Sequence, residues 1–415
     1  MKKKLHNTYT IPQHTDASER YGAEAPLCTV IPFITITRMD GIDLHEYSGK
    51  KIAVGLSGGV DSSTALALLA EAGADVFGIT MKIWKEGATA IPGIGDACYG
   101  PGEEEDIAAA QELCSTLGIP YFPLDLSMEY ESRILEYFKR EYISGRTPNP
   151  CVRCNQEMKF GFLLEKTREA GQDFDLFATG HYARIDTRNG IRMLRQAIDA
   201  GKDQTYFIHR LSPETLGHVA FPLGGLTKAQ VRLEARRLGL IAAEKPESQD
   251  FVSGSYGALF DDQKPGDIVD ETGTVLGKHR GIVNYTIGQR RGLGISFGPE
   301  ALYVSALDAE HNRVVVSNNS SLFCSALEGH EAFVNDATLE GEPFKAFVRI
   351  RQNHKPAEAR ITTGGGIARV EFKEPQRAAA PGQSAVFYDS DGFVLGGCII
   401  ERSEKPVSKQ TSKHL

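Results

Sequence analysis

Two short segments of this chain combine residue types that can do chemistry. The first, residues 51–63 (KIAVGLSGGVDSS), runs from apolar residues through a Ser-Gly-Gly turn to Asp61, Ser62 and Ser63. A strand, a glycine turn and a helix in succession leave unpaired backbone N–H groups at the positive end of the helix dipole. The serines add hydroxyl donors, and the glycines let an oxyanion approach the backbone. The segment predicts a phosphate-binding loop without the lysine of a Walker A loop, and an ordinary strand–helix turn is the alternative.

The second segment, residues 147–160 (TPNPCVRCNQEMKF), joins two prolines to the pair Cys151 and Cys154. Prolines remove backbone donors and hold the chain extended, and two thiols at this spacing can face one ligand. A structural zinc site needs four ligands, and no second pair follows. The pair is therefore interpreted as a redox pair, a sulfur carrier or part of an iron–sulfur ligand set. Two buried small residues are the structural alternative.

The elements around these segments alternate in type up to about residue 179. Strands are predicted at 52–56, 76–81, 121–126 and 174–179, and helices at 62–72, 103–117 and 128–143. Strands that alternate with helices indicate a doubly wound parallel sheet with helices on both faces. Ligands of such sheets bind at the carboxyl ends of the strands, where the Ser-Gly-Gly turn lies.

The second part of the chain is predicted to be β-rich. Short strands and turns fill residues 264–285, and further strands are predicted at 302–307, 313–317, 344–351, 368–372, 384–388 and 394–400. Such short, turn-separated strands are typical of a small barrel or sandwich. The predicted organisation is an irregular extension (1–48), an α/β domain (49–252), a small central β-rich domain (253–300), a C-terminal β-barrel (301–403) and a loose tail (404–415).

Composition excludes several classes of protein. No apolar run approaches the roughly 18 residues that span a bilayer, and the first residues lack the apolar core of a signal peptide. We therefore expect a cytoplasmic protein without a membrane part. Seven cysteines, an odd number, argue against a disulfide framework. The net charge of −8 does not itself indicate nucleic-acid binding, which depends on a local basic face.

Four more motifs complete a recognisable set. They are ATGHYAR (178–184), KDQTYF (202–207), YTIGQRRGLGI (285–295) and PGQSAVFY (381–388). With the first two segments, these motifs closely resemble the bacterial tRNA-specific 2-thiouridylases, over about residues 51–401. The resemblance implies that the α/β domain is an adenine nucleotide α-hydrolase-like PP-loop ATP pyrophosphatase domain. It also implies the reaction: ATP adenylates the C2 oxygen of the tRNA wobble uridine and releases pyrophosphate, and a persulfide sulfur then displaces AMP.

The resemblance also assigns roles to individual residues. The residues that match ATP-binding positions are Gly55, Leu56, Ser57, Gly58, Gly59, Val60, Asp61, Ser62, Met81 and Gly180. The target-base positions are Asn149, Pro150 and Cys151, and Cys154 matches the nucleophile. The residues that match tRNA-interaction positions are His181, Lys202, Asp203, Gln204, Arg349, Ile350 and Gln383. The resemblance implies that the cofactor is ATP with Mg²⁺ and that the partners are tRNA and a persulfide or sulfide donor. The protein is expected to be a monomer or a weak dimer.

Basic residues cluster in the C-terminal half of this acidic chain. The clustered residues are Lys278, His279, Arg280, Arg290, Arg291, Arg349 and Arg351. They predict a phosphate-binding face for tRNA, and solvated surface charge is the alternative.

The chain departs from the family at its sulfur chemistry. Most members have Asp at the position of Cys151 and a second essential cysteine after a Ser-Gln-Asp-like segment, whereas residues 247–255 here contain none. Either Cys151 and Cys154 form an internal relay, or they join Cys98 as ligands of a [4Fe–4S] cluster. We expect Cys28, Cys114, Cys324 and Cys398 to be structural. Another PP-loop ligase, such as an argininosuccinate-forming enzyme, and a non-catalytic tRNA-binding or sulfur-carrier paralogue remain the rival hypotheses.

Overall fold

The computed structural model describes most of the chain. The described residues are 10–12, 33–35, 44–85, 99–100, 102–244, 259–260, 263–295 and 300–406. The predictions for Cys28, Cys98 and residues 247–255 lie outside them.

The strands, in chain order, are β1 (Thr10–Pro12), β2 (Phe33–Thr35), β3 (Lys51–Gly55), β4 (Asp75–Lys82), β5 (Tyr121–Asp125), β6 (Leu176–Thr179), β7 (Ala183–Arg188), β8 (Ile191–Gln196), β9 (Val219–Ala220), β10 (Gly266–Val269), β11 (Val275–His279), β12 (Tyr303–Asp308), β13 (Arg313–Ser317), β14 (Phe323–Val334), β15 (Phe344–Arg349), β16 (Ala357–Gly364), β17 (Ile367–Arg377), β18 (Ser384–Tyr388) and β19 (Val394–Glu404). The α-helices are α1 (Val60–Glu71), α2 (Glu103–Leu117), α3 (Ser127–Tyr130), α4 (Glu136–Ile143), α5 (Pro150–Arg153), α6 (Leu163–Glu169), α7 (Thr205–Ile208), α8 (Pro213–Leu216) and α9 (Lys228–Arg237). Two π-helical segments, Glu131–Leu135 and Cys154–Phe162, make α3–α4 and α5–α6 continuous helices. Short 3₁₀ turns occur at His45–Tyr47, Ile241–Glu244, Ile282–Asn284, Asn319–Leu322 and Ala337–Leu339.

A five-stranded parallel sheet organises the first half of the chain. Its strand order is β5-β4-β3-β6-β9, and every neighbouring pair is parallel. In the central strand β3, Ile52, Ala53 and Val54 are fully buried, as expected for a strand with helices on both faces. The predicted fold class is confirmed, and the predicted elements of this half lie close to the observed ones. The irregular extension expected before residue 48 contains the antiparallel pair β1–β2.

The helix that carries the two cysteines begins at a well-defined cap. Asn149 has extended backbone angles, and its side-chain oxygen accepts a hydrogen bond from the backbone N–H of Val152. Pro150 occupies the first helical position, where no backbone donor is needed. The helix continues through the π-helical segment that starts at Cys154. A π-helical segment is rare and frequently lies at a functional site.

The central sheet corrects the predicted grouping of two strands. Its order is β11-β10-β13-β12, with β10 and β13 parallel. The strands β12 and β13 were expected in the C-terminal barrel, but they pair with the central strands instead. Local sequence could not reveal this because the pairing joins Ile268 to Val314, far apart in the chain.

The remaining strands close a barrel in the order β14-β17-β16-β15-β18-β19. Along β16 and the first half of β17, buried and exposed residues alternate, so one side chain in two fills the barrel interior. Val348, Ile361, Val370 and Phe387 are fully buried there. Among the described residues, the helices are all too short or too polar to cross a membrane.

Candidate active site

The Ser-Gly-Gly turn lies between the end of β3 and the start of α1. Gly58 has a φ of 68°, and a Cβ atom there would lie 2.6 Å from Asp106 Oδ1. The backbone N–H of Ser57 donates to Ser62 Oγ at 3.2 Å, and the Ser63 hydroxyl donates to the Gly59 carbonyl at 2.9 Å. No side chain of the described residues caps α1 at Gly59. The first N–H groups of α1 therefore point to where an oxyanion would bind.

Asp61 is held by two residues that the sequence analysis did not identify. The Tyr182 hydroxyl donates to Asp61 Oδ1 at 2.8 Å, and Lys228 Nζ donates to both carboxylate oxygens at 2.8 Å. Lys228 is buried at the start of α9. That start is fixed by a capping box in which Thr227 and Gln230 bond each other's backbone. The Thr-x-x-Gln pattern at residues 227–230 is a capping-box motif that could have predicted the start of this helix from the sequence.

Gly180 brings the end of β6 against the start of α1. A Cβ atom on Gly180 would lie 2.7 Å from both Asp61 C and Ser62 N. Gly55 is the last residue of β3, and Met81 lies near the end of β4. The residues predicted to bind ATP therefore surround one edge of the sheet, the carboxyl edge.

The cysteine helix packs against the same sheet. Cys154 is buried, and Cys151 is half-buried. The Phe160 ring, farther along the helix, lies 5.4 Å from the Phe177 ring of β6. The Phe177 ring in turn lies against Gly55: a Cβ atom added to Gly55 would be 3.0 Å from the Phe177 ring. The cysteine helix and the Ser-Gly-Gly turn thus share the support of β3 and β6.

His181 lies between these two groups of residues. Its Nδ1 is 2.8 Å from Thr179 Oγ1, and its ring is 6.1 Å from each of the Phe160 and Phe221 rings. Burial, together with the nearby charge of Lys159, lowers the pKa of His181 to about 3. The imidazole is therefore neutral at physiological pH and can act as a hydrogen-bonding group rather than a cation.

Several residues predicted to contact tRNA lie inside the protein. Asp203 and Arg349 form an ion pair with a Nη1–Oδ2 distance of 2.8 Å, and their side chains are 1% and 9% exposed. Ile350 is 1% exposed. Gln204 accepts a hydrogen bond from the backbone N–H of Tyr182. The Asp203–Arg349 pair joins the α/β domain to the barrel, and in this arrangement it does not face solvent.

Only some residues of the predicted basic face are exposed to solvent. Lys278, Arg280, Arg290 and Arg291 are exposed. His279 is 1% exposed, and its Nε2 is 3.0 Å from the Asn312 carbonyl, so it cannot reach RNA.

The other described cysteines are unsuited to sulfur chemistry. Burial raises the pKa of Cys114 and of Cys324 to about 11, and that of Cys398 to about 12. These thiols stay protonated at neutral pH, whereas the thiolate is the nucleophile. Burial and raised pKa values agree with the structural role expected for Cys114, Cys324 and Cys398.

Comparison with known proteins supplies the family. Residues 50–253 match the tRNA methyl transferase HUP domain, residues 259–318 the tRNA methyl transferase PRC-barrel domain and residues 327–400 the aminomethyltransferase beta-barrel domain. The protein "tRNA-specific 2-thiouridylase MnmA" of Endomicrobium trichonymphae is 44% identical over 356 residues, which cover 84% of this chain and 99% of that protein. Proteins of the same name from Acetivibrio thermocellus (42% identity, 85% and 100% covered) and Magnetococcus marinus (43%, 85% and 99%) are also similar.

The chain belongs to the tRNA-specific 2-thiouridylase family. The family's central match, residues 259–318, contains β12 and β13 together with β10 and β11, in agreement with the observed sheet.

A cleft opens beside the cysteine helix of this 2-thiouridylase family member. It has a volume of about 100 Å³ and separates the helix from the barrel. Asn149, Val152 and Arg153 line its helix side, and Glu331 and Ser384 line its barrel side. Of the residues predicted to contact the target base, Asn149 lines this cleft.

Proposed function

We propose that Cys151 and Cys154 carry the sulfur in ATP-dependent 2-thiolation of the tRNA wobble uridine. The chain is an enzyme that adenylates the C2 oxygen, transfers sulfur to C2, and releases pyrophosphate and AMP. Support comes from family membership together with the two thiols on a helix that packs against the strand β6, next to the strand that leads into the Ser-Gly-Gly turn. The observation that carries the proposal is the cysteine helix, which packs through Phe160 against the strand that supports this turn.

The first half-reaction makes C2 electrophilic. The start of α1 offers N–H donors and a positive dipole end to the phosphates of ATP. Attack of the uridine O2 on the α-phosphorus forms the adenylate, and pyrophosphate leaves with its electron pair. A carbonyl oxygen is a poor leaving group, whereas AMP is a good one, so the energy of ATP is used to activate C2.

The second half-reaction transfers sulfur through the pair. Cys151, the more exposed thiol, accepts a sulfane sulfur and becomes a persulfide. The terminal sulfur attacks C2, and the C2–O bond breaks as AMP leaves. The thiolate of Cys154 then attacks the Cys151 sulfur, so the S–S electrons form the C2 thiocarbonyl and a Cys151–Cys154 disulfide remains. A thiol reductant must supply two electrons before the next turnover.

A metal cluster at the pair is the alternative. Among the described residues, no group of three His, Cys, Asp or Glu side chains is placed to hold a metal ion. Cys151 and Cys154 supply two of the three thiols that the cluster hypothesis needs, and the third, Cys98, lies outside the described residues, so no step is routed through a cluster. Carboxylates beside the Ser-Gly-Gly turn, Asp61 and Asp106, are the oxygen donors that Mg²⁺ prefers. They would hold the Mg²⁺ of ATP.

Exposed basic residues of the predicted basic face could contact tRNA phosphates. Lys278, Arg280, Arg290 and Arg291 are exposed, and Lys278 also forms an ion pair with Asp267 at 2.6 Å. Binding through such residues weakens as salt concentration rises, because counterions are released.

The decisive experiment follows one turnover anaerobically, without reductant. We expect Cys151→Ala and Cys154→Ala to abolish thiolation but to keep tRNA-stimulated pyrophosphate release, because adenylation precedes sulfur transfer. The wild type should accumulate a Cys151–Cys154 disulfide detectable by mass spectrometry. Cys98→Ala is the control, and it should thiolate normally and contain no iron.

Other outcomes separate the rivals. Bound iron that is lost together with activity in each of the three cysteine variants would support the cluster instead of the relay. The variant Cys151→Asp would have the Asp-x-x-Cys pattern that the family resemblance implies, but it would still lack the family's second cysteine. We therefore expect this variant to be inactive. Full activity of Cys151→Asp would contradict both hypotheses. Pyrophosphate release stimulated by an amino acid rather than tRNA would indicate another ligase, and no release at all a non-catalytic paralogue.

A further inference from the structure

The segment just before the cysteine helix is held by the barrel. We propose that Gln383 is a positioning residue that fixes this segment, Arg146–Asn149, and through it the sulfur-transfer helix. The holding element is the turn Pro381–Ser384, which we call the barrel turn. The inference rests on the proposed role of Cys151 and Cys154, because it concerns how their helix is placed.

The amide of Gln383 is engaged at both ends within the protein. Its Nε2 donates to the Thr147 carbonyl at 2.9 Å and to the Pro148 carbonyl at 3.3 Å. Its Oε1 lies 3.5 Å from the Tyr206 hydroxyl, at the limit of a hydrogen bond, and that hydroxyl also donates to the Ser384 carbonyl at 2.9 Å. A side chain with these partners is occupied as a brace, although the family resemblance assigns it a tRNA contact.

The segment needs an external brace because its own backbone supplies few donors. Pro148 and Pro150 have no N–H groups, so regular local hydrogen bonding cannot hold this segment. Buried carbonyls must still find donors, and Gln383 provides them. The backbone N–H of Thr147 completes the contact by donating to the Pro381 carbonyl at 2.8 Å. The next residue after this braced pair, Asn149, caps the cysteine helix.

Gly382 allows the close approach that these bonds require. Its φ is 90°, and a Cβ atom there would lie 3.0 Å from the Thr147 carbonyl carbon and oxygen. The barrel turn is itself tied to β19, because the N–H of Gly382 donates to the Ile400 carbonyl and the N–H of Ile400 donates to the Gln383 carbonyl, both at 2.8 Å. Its position therefore follows that of the barrel wall.

Arg146 anchors the same segment to the barrel from a second side. Its Nη1 is 2.6 Å from Glu401 Oε2, and its Nη2 donates to the Ile400 carbonyl at 3.2 Å. The same guanidinium pairs with Glu141 on α4 at 2.8 Å. Residues 146–148 are thus attached to β19 and the barrel turn, and a shift of the barrel would move the start of the cysteine helix.

The test separates positioning from RNA contact with Gln383→Glu. This variant keeps the size and the acceptor oxygen but cannot donate to two carbonyls. We expect the dissociation constant for tRNA to be unchanged, and the single-turnover thiolation rate at saturating tRNA to fall about tenfold or more, which corresponds to about 1.4 kcal/mol or more of barrier. Weaker tRNA binding with an unchanged rate at saturation would overturn the proposal.

A matched pair of glycine variants gives a readout that does not depend on the reaction. Gly382→Ala and Gly366→Ala both place a side chain at positive φ in the barrel (90° and 77°), but only Gly382 has atoms within 4 Å of the new Cβ. We expect iodoacetamide to alkylate Cys151 several times faster in Gly382→Ala and Gln383→Glu, because the helix start is loosened, and at the wild-type rate in Gly366→Ala.

Unchanged alkylation in both Gly382→Ala and Gln383→Glu would overturn the brace. If Cys151→Ala and Cys154→Ala instead retained thiolation, the proposed function of the pair would fail, while the alkylation rates would still decide whether the barrel turn positions the helix.

Discussion

At the scale of single residues, the site depends on partners from distant parts of the chain. Asp61 belongs to the Ser-Gly-Gly motif, but its carboxylate is oriented by Tyr182 and Lys228. Breaking such a pair leaves a carboxylate without its partner, which costs about 1–3 kcal/mol when the group is buried. Asp61 keeps about a third of its side chain exposed, so the loss should affect its orientation more than the fold.

We therefore expect Lys228→Met to reduce tRNA-stimulated pyrophosphate release strongly and to shift its Mg²⁺ dependence, because the carboxylate is no longer held in place. Lys228→Arg should recover part of the activity, since a guanidinium can also bond both oxygens. The measurement is the rate of pyrophosphate release against ATP and Mg²⁺ concentration. Lys166→Met, which removes an exposed lysine paired with surface glutamates, is the control. Wild-type ATP and Mg²⁺ dependence in Lys228→Met would rule out the positioning role.

At the scale of elements, the sequence predicted those with strong local signals. Helix α2 was predicted with its observed bounds because acidic residues begin it and apolar residues recur at helical spacing. In the structure it ends at Gly118, which has a φ of 67°. The hairpin β7–β8 was missed although its turn, Asn189-Gly190, is a clear signal; both residues have positive φ. Strand β14 was missed because its irregular pairing, around Glu331 with a φ of 49°, breaks the alternation that predicts strands.

The contact between β6 and α1 gives the prediction at this scale. In Gly180→Ala the new methyl group would lie 2.7 Å from the backbone of Asp61 and Ser62, so the strand end and the start of α1 must separate. We expect weaker ATP binding, measured by calorimetry, with the melting temperature lowered less than the affinity. Gly225→Ala is the matched control, because its Cβ atom would have no atom within 4 Å. Equal ATP affinity in the two variants would contradict this view of the site.

At the scale of the whole molecule, the candidate site is assembled across domains. The contacts that complete it join residues far apart, such as Asp203 to Arg349 and Gln383 to Thr147. Sequence motifs predicted most of the residue types involved. Their actual partners could not be predicted, because a local pattern carries no information about which buried polar group will meet which. With Gln383 in its proposed role, the barrel supports the sulfur-transfer helix, so removing the barrel should reduce sulfur transfer as well as tRNA binding.

The interface between the α/β domain and the barrel also makes stability depend on pH. His209 is fully buried there, its ring is stacked on Phe333 at 6.0 Å, and its Nδ1 donates to the Tyr206 carbonyl at 2.8 Å. Burial, with a smaller effect of the adjacent Arg210 cation, lowers the pKa of His209 to about 3. The unfolded chain, with an ordinary histidine pKa of about 6.5, binds more protons below that pH. Stability is therefore lost as the pH falls from about 6.5 towards 3.

Between pH 7.5 and pH 5.5, proton uptake by His209 in the unfolded chain should lower the free energy of unfolding by about 1.4 kcal/mol. His209→Asn keeps a donor for the Tyr206 carbonyl and cannot titrate. The variant should start from a lower melting temperature at pH 7.5, because a smaller side chain leaves space in a packed interface. Its melting temperature should then fall less than that of the wild type between pH 7.5 and pH 5.5, as measured by calorimetry. His181, whose pKa is also about 3, accounts for part of the remaining slope. Parallel curves for the two proteins would show that His209 takes up no extra proton on unfolding, and the acid sensitivity would then belong to other groups.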